Sequence, residues 1–248
     1  MIRITRAALP DELTGRLSSL TTQIRQRPQD KQALHARQLW TQGNVRDRVR
    51  APLSETLRTM APGRERCMYC GDNQGTDVDH FEPLAVNPPR AFDWLNHLLA
   101  CSFCNSHQKR DVFPRDRGGA AMLIDPTVDD PFEHLLLTLT LGVYRPLTKR
   151  GEATIGVFDL NRPVLSQGRV AARKAVDFLL ASWTKTCEDD RHGQAALVIS
   201  LVRDQPFAEV VQSMLRQASC PGAEAMFTDP GVLAALRDER IRDALLIP

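Results

Sequence analysis

The segment Cys67–Phe113 reads CMYCGDNQGTDVDHFEPLAVNPPRAFDWLNHLLACSFCNSHQKRDVF and decides how the rest of the chain is interpreted. It contains four of the six cysteines, in two C-x-x-C pairs: Cys67, Cys70, Cys101 and Cys104. Each pair presents two thiolates to one ion, and two pairs complete a tetrahedral site with sulfur about 2.3 Å from zinc. Because all four ligands are cysteine, no coordination position stays open for water. The spacing therefore predicts a zinc ion that stabilises structure and does not catalyse.

The residues between and after the cysteine pairs predict two strands and a helix. Gly75–His80 and Trp94–Leu99 favour strands, and Ser102–Arg110 favours the first turns of a helix. A strand, loop, strand and helix held by zinc at both ends form a ββα unit. Such a unit brings four polar residues together: Asp79, His80, Asn96 and Asn105. Neighbours in an ideal strand point to opposite faces, so the first strand must end or bend at His80 for both residues to share a site.

The remaining chain is predicted to be mainly helical. Helical patterns precede the cysteines at Leu13–Arg27, Lys31–Thr41 and Val45–Met60. A strand pair is predicted from His134–Val143 and Thr154–Leu160, because both segments alternate apolar residues. Helices are expected at 163–186, 193–203, 207–218 and 230–246. The predicted fold class is α+β, mainly α-helical, in four regions: N-terminal basic helices (1–62), ββα core (63–117), β-hairpin connector (118–162) and C-terminal helices (163–248).

Charge is unevenly distributed along the chain. The net charge is +2, but residues 1–66 carry 13 Lys and Arg against 6 Asp and Glu. This basic third suits a polyanionic partner, although a solvated helix face explains it equally well. Arg46 and Arg50 share one face at helical spacing, whereas Arg48 points elsewhere, so the first two are the predicted phosphate contacts.

The segment Cys67–Arg110 resembles the HNH endonuclease superfamily in its zinc-containing ββα-metal form. The matching elements are C-x-x-C before D-H-x-x-P, then N-x-L, then C-x-x-C-N and a following lysine. The resemblance implies that His80 activates water and that Asn96 fixes the loop beside it. It also implies that Asp79 and Asn105 bind a catalytic Mg²⁺ or Mn²⁺ ion. Many members have histidine where this chain has Asn105, and an amide oxygen favours hard Mg²⁺.

Other polar residues near the motif receive secondary interpretations. Lys109 lies one helical turn beyond Asn105 and is a candidate phosphate contact. His97 is expected to be exposed or to lie behind the site, and His107 to point away from it.

A longer match extends the resemblance over residues 67–173. It includes D-H-F-x-P, F-D-W-x-N-x-L-L, K-x-x-x-F-P and D-P-x-x-D-D-P, and is similar to the PtuB-like nucleases of Septu and retron anti-phage defence systems. This resemblance implies a DNA endonuclease that works with a PtuA-like ATPase of the ABC type. The alternative is a non-catalytic zinc module that binds nucleic acid or tethers a partner, which would need the cysteines but not the polar set.

The sequence also gives an expectation about location. The N-terminal residues MIRITRAALPDEL contain no apolar stretch of the secretory type, and no apolar run approaches the ~20 residues that cross a bilayer. A cytoplasmic protein without membrane contact is therefore expected.

Overall fold

The computed structural model describes residues 1–188 and 192–247. It is mainly helical, with two small antiparallel sheets. The elements up to the second strand are α1 (Asp11–Arg25), α2 (Gln29–Thr41), α3 (Gly43–Val45), a π-helix (Arg46–Arg50), α4 (Ala51–Met60), α5 (Pro62–Glu65), β1 (Asp77–His80), two 3-10 turns (Pro88–Phe92 and Trp94–Asn96) and β2 (His97–Ala100). These are followed by a π-helix (Phe103–Lys109), a 3-10 turn (Pro131–Glu133), β3 (Leu135–Thr138), β4 (Val143–Pro146), α6 (Lys149–Phe158), α7 (Pro163–Glu188), α8 (His192–Arg203), α9 (Ala208–Gln217), α10 (Ala223–Met226), α11 (Pro230–Arg237) and α12 (Glu239–Leu245).

The N-terminal helices form a small hydrophobic core of their own. Their buried residues include Leu13 and Leu17 of α1 and a stripe at four-residue spacing from Val45 through Val49 to Leu53. The turn Pro88–Phe92 packs into the same core. The long loop between β1 and β2 is therefore anchored on the N-terminal helices.

Strands β1 and β2 pair antiparallel, with Asp77 opposite Ala100 and His80 opposite His97. The second strand begins at His97, not at Trp94 as predicted. Asp93 explains the shift, because its side chain accepts a hydrogen bond from the amide of Leu95 at 3.1 Å and stabilises a 3-10 turn over Trp94–Asn96. The helix expected over Ser102–Arg110 is present as the π-helix Phe103–Lys109.

The predicted partner strand Thr154–Leu160 is wrong. Strand β3 pairs with β4, directly after it, and the connecting turn contains Gly142 at a φ of +66°. Residues Thr154–Phe158 belong to helix α6, which begins where the Thr148 hydroxyl accepts a hydrogen bond from Gly151 N at 3.1 Å.

Helix α6 follows the helical period and not the strand period. Its buried residues are Gly151, Thr154 and Phe158, at spacings of three and four. The Phe158 ring stacks on Tyr69 with centroids 4.0 Å apart. The segment predicted as a β-hairpin connector therefore contains a hairpin and a helix, and the helix packs behind the cysteine segment.

The C-terminal helices lie close to their predicted positions, with one break. The helix expected over 230–246 is divided into α11 and α12, because the Asp238 side chain accepts a hydrogen bond from Arg240 N at 2.9 Å and starts a new helix. Residues 189–191 and 248 of the predicted C-terminal region lie outside the described residues. The four-part division of the chain stays a prediction.

Where the structure describes the chain, it contains no helix long and apolar enough to cross a membrane.

Candidate functional site

The four cysteines of the two pairs converge on one point. Cys67, Cys70, Cys101 and Cys104 are all buried, and their sulfur atoms lie within 4.8 Å of one another. Cys70 Sγ and Cys101 Sγ are 3.9 Å apart. Tetrahedral zinc with bonds of about 2.3 Å requires sulfur atoms about 3.8 Å apart. The cluster is therefore able to hold one metal ion.

The cysteine cluster connects the two strands to the helix that follows. Met68 N donates to Leu99 O of β2 at 2.9 Å, and Asn73 Nδ2 lies 3.8 Å from Cys101 Sγ. Burial raises the pKa of the Cys67 thiol well above its ordinary value. A bound cation stabilises cysteine sulfur as the thiolate, which is the form that binds a metal.

Asp79 lies at the end of β1 and is buried. Its Oδ2 accepts a hydrogen bond from the Tyr69 hydroxyl at 2.5 Å, and its Oδ1 accepts one from Lys109 Nζ at 3.0 Å. Burial raises the pKa of Tyr69 well above its ordinary value, with Asp79 adding to the effect. Tyr69 therefore stays protonated and donates. Two neighbours thus fix the orientation of this carboxylate.

Lys109 does not lie where its predicted role as a phosphate contact requires. Its side chain is fully buried, and its ammonium donates to Asp79 Oδ1 and to the carbonyl of His80 at 2.5 Å. In this arrangement the ammonium does not reach solvent, so it is not available to a phosphate outside. The π-helix turns the residue inward, onto the strand that carries Asp79.

His80 is held by its ring and by the residues around it. Its Nε2 lies 3.0 Å from the carbonyl oxygen of Ala91, so this nitrogen carries the hydrogen and Nδ1 keeps a free lone pair. Burial lowers the pKa of His80 to about 4. The Trp40 ring, on α2, covers His80 edge-on with centroids 4.4 Å apart.

His97 is fully buried, which excludes the exposed position considered for it. It lies opposite His80 across the strand pair, and its Nε2 also donates to Ala91 O at 3.0 Å. One carbonyl therefore accepts hydrogen bonds from two imidazole rings. Burial lowers the pKa of His97 well below its ordinary value. Both rings are neutral at neutral pH.

Asn96 connects the two ends of the loop beside His80. Its Oδ1 accepts from Glu82 N at 2.8 Å, and its Nδ2 donates to Glu82 O and Arg90 O, each at 3.0 Å. The side chain is fully buried. Glu82 lies two residues after His80, and Arg90 directly precedes Ala91, whose carbonyl accepts the His80 hydrogen bond. Asn96 therefore links the two parts of the loop that lie beside His80.

Asn105 lies at the boundary between two adjoining clefts. Its Nδ2 donates to Asp77 Oδ2 at 3.1 Å, which leaves Oδ1 free to accept. The first cleft, of about 280 Å³, is lined by Asn105 together with Asp79, His80 and Arg110. The structure thus brings Asp79, His80 and Asn105 to one opening, as the sequence predicts.

The second cleft, of about 390 Å³, contains the two predicted arginines. Arg46, Arg50 and Trp40 line it beside Asp77 and Asn105. The Arg50 guanidinium lies 5.0 Å from the centre of the Trp40 ring. Arg48 lines a different groove, beside Glu12 and Arg16, in agreement with the predicted helix faces.

Several residues of the site were missed by the sequence reasoning. Trp40, Tyr69 and Asp77 contact the predicted residues directly. Asp77 had a usable signal, because it shares a strand face with Asp79 at a spacing of two. Trp40 had none, since it comes from a helix 40 positions before His80. His107 is exposed, with Nδ1 3.2 Å from Ser102 O, as expected for a residue outside the site.

Comparison with known proteins finds similarity over half of the chain. A relative described as Septu protein PtuB, from Bacillus mycoides strain KBAB4, is 28% identical over 152 residues. The chain is similar to a Septu protein. The match covers 49% of this chain and 50% of the relative. Protein ea31 of Escherichia phage lambda is 30% identical over 89 residues, or 36% of this chain and 29% of that protein.

The chain thus spans half the length of one curated relative and less than a third of the other. No family model matches the sequence, and no solved structure matches it.

Proposed function

We propose that this protein is a metal-dependent HNH endonuclease that hydrolyses phosphodiester bonds of DNA in an anti-phage defence system. The observation that carries the proposal is the cleft lined by Asp79, His80 and Asn105. A carboxylate, a neutral imidazole and an amide oxygen around one opening supply a metal ligand, a base and a second ligand. The similarity to a Septu protein supports the defence role.

The cysteine cluster is assigned a structural zinc ion. Four sulfur ligands leave no position for a substrate or for a water molecule. A zinc ion held by these cysteines would join the turn before β1 to the π-helix after β2 and would fix the two strands that carry the site. The unit is the proposed ββα core.

A hard divalent ion, Mg²⁺ or Mn²⁺, fits the oxygen donors of Asp79 and Asn105. Asn105 Oδ1 is free because its amide nitrogen is held by Asp77. Each Asp79 oxygen accepts one hydrogen bond and keeps further acceptor capacity. When bound, such an ion stabilises negative charge on the scissile phosphate and on the leaving oxygen.

His80 is assigned the general base. Its Nε2 is held by Ala91 O, so Nδ1 is the atom that accepts a proton from water. Its low pKa keeps the ring neutral at neutral pH, and the negative charge of a bound phosphodiester would stabilise the imidazolium once the proton has moved. The resulting hydroxide attacks phosphorus, and the bond from phosphorus to the leaving 3′ oxygen breaks, after which that oxygen takes a proton from water. Asn96 and Ala91 keep the ring in place for this step.

The adjoining cleft is assigned to the DNA backbone. Arg46 and Arg50 line it next to Asn105, so a strand whose phosphate reaches Asn105 passes both guanidinium groups. A PtuA-like ATPase of the ABC type is the proposed partner, and the cytoplasm is the proposed location. Both follow from the Septu resemblance.

The second candidate function is a non-catalytic zinc module that binds nucleic acid or tethers a partner. The buried Lys109–Asp79 ion pair favours it, because an ammonium already neutralises the proposed metal ligand. This alternative needs the four cysteines but not Asp79, His80, Asn96 and Asn105.

Plasmid cleavage by a His80→Ala variant distinguishes the two functions. The reaction contains Mg²⁺, with and without the candidate ATPase, and the matched control is His107→Ala, which replaces an exposed histidine of the same unit. The proposal predicts that His80→Ala abolishes cleavage at wild-type zinc content. Because the ring is buried against Trp40, the thermal midpoint should fall, and cleavage is measured below that midpoint. His107→Ala should cleave normally. Normal cleavage by His80→Ala would refute the assigned base.

A further inference from the structure

The proposed active-site cleft lacks the basic side-chain contact to phosphate that Lys109 was predicted to make. Lys109 is the basic residue that the motif places after Asn105, but its ammonium is buried against Asp79 and the His80 carbonyl. A phosphodiester entering the cleft meets the carboxylate of Asp79. The next residue, Arg110, lines the same cleft and is exposed.

The Arg110 guanidinium is available to a ligand. No carboxylate of residues 1–185 or 195–247 forms an ion pair with it. Its neighbour Asp111, which also lines the cleft, lies 3.8 Å from Arg37 Nη2. A planar guanidinium with five donors matches the oxygens of a phosphate and binds them in pairs.

The backbone at Arg110 is strained. Its φ is +49° and its ψ is −119°, a backbone conformation that residues other than glycine rarely adopt. The residue ends the π-helix, where its amide donates to Asn105 O at 2.8 Å. Positive φ occurs elsewhere at glycines such as Gly71 and Gly142, and also at Glu65, Asp159 and Phe207. Strained backbone of this kind occurs often at functional sites, and here it lies at the rim of the cleft.

We propose that Arg110 is the residue that binds the scissile phosphate in the cleft of Asp79 and His80. This inference rests on the proposed nuclease function and assigns the phosphate contact of that site to Arg110 in place of Lys109. The guanidinium orients the phosphate for attack by the water that His80 deprotonates. It also stabilises the additional negative charge that develops on the phosphate oxygens.

The test uses two substitutions at Arg110 and one nearby control. Arg110→Gly removes the guanidinium and relieves the backbone strain, so the folded state should be as stable as wild type or more stable. Arg110→Lys keeps a positive charge without the paired donors. Arg117→Ala replaces another exposed arginine that lies outside both clefts.

The expected result is a separation of stability from activity. Arg110→Gly should lower the plasmid cleavage rate by about 100-fold, with an unfolding midpoint no lower than wild type. Arg110→Lys should be intermediate, and Arg117→Ala unchanged. In binding to a short DNA duplex without divalent ions, Arg110→Gly should also reduce the slope of log K against log salt by about 0.9.

The two readouts separate failure of this inference from failure of the proposed function. Wild-type cleavage and wild-type salt slope in Arg110→Gly would overturn the assignment of Arg110 and leave the nuclease function intact. If no protein cleaves DNA, including wild type, the nuclease function fails. A reduced salt slope in Arg110→Gly would then still support Arg110 as a phosphate contact.

Discussion

Replacement of Lys109 by methionine is the perturbation that most sharply tests the interior of the site. Lys109 and Asp79 form an ion pair in which the two side chains are 0% and 4% exposed. Methionine preserves most of the side-chain volume and removes the charge. Asp79 is then left as a buried carboxylate whose remaining partner is the Tyr69 hydroxyl.

The expected loss of stability is large. Breaking a buried ion pair by removing one partner costs about 3–5 kcal/mol, because the remaining charge is desolvated without compensation. That is a large share of the roughly 5–15 kcal/mol by which domains are stable. The exposed pair of Arg16 and Glu12 provides a control, since Arg16→Met should cost no more than about 0.5 kcal/mol.

Urea unfolding at constant zinc content gives the free energy of unfolding of both variants. A double-mutant cycle with Asp79→Asn isolates the pair: adding Asp79→Asn to Lys109→Met should recover part of the lost stability, because the uncompensated charge is gone. If Asp79 binds a divalent ion, Mg²⁺ should stabilise Lys109→Met more than wild type. A loss below about 1 kcal/mol in Lys109→Met would refute the interpretation of a buried, structurally essential lysine.

Three further predictions follow from the site. Cys67→Ser should abolish metal binding and unfold the segment around β1 and β2, because metal affinity contributes directly to folding; elemental analysis and circular dichroism check this, and a folded, zinc-free variant would contradict it. Since burial lowers the pKa of His80 to about 4, the unfolded chain binds a proton between pH 6.5 and 4 that the folded chain does not. The free energy of unfolding should therefore fall as the pH falls through that window, by up to about 3 kcal/mol from this residue, and a His80→Gln variant should lack that part of the loss. Neutralising Arg46 and Arg50 together should reduce the slope of log K against log salt for DNA binding by about two. The control variant Arg48→Ala should leave that slope unchanged. An unchanged slope in the double variant, with binding to the ATPase lost, would indicate a docking surface instead.

The sequence predicted those parts of the site that are set by local pattern. Two C-x-x-C pairs have few alternatives to a shared metal site, and the cluster of Cys67, Cys70, Cys101 and Cys104 is present. The strand that carries Asp79 and His80 also agrees with its pattern. The strand depends on residues close in sequence. The cluster depends on a ligand geometry that brings all four cysteines to one metal.

Tertiary packing determined the features that the sequence did not reveal. Thr154–Phe158 alternates like a strand, but Thr148 starts a helix whose inner face packs on Tyr69. The inward turn of Lys109 depends on a π-helix, which has no clear sequence pattern. The covering of His80 by Trp40 joins elements far apart in the chain, and no spacing rule relates them.

We propose that one metal stabilises the fold and that a different one supports catalysis. The direct measurement titrates Mg²⁺ into a plasmid cleavage reaction, with the candidate ATPase present, while zinc in the protein is measured in the same samples. We expect one zinc per chain throughout, with a cleavage rate that rises from zero and saturates with Mg²⁺. In Asn105→Ala the curve should shift to higher Mg²⁺ at unchanged zinc. Cleavage that follows zinc occupancy and ignores Mg²⁺, or no cleavage at any Mg²⁺ concentration, would contradict it.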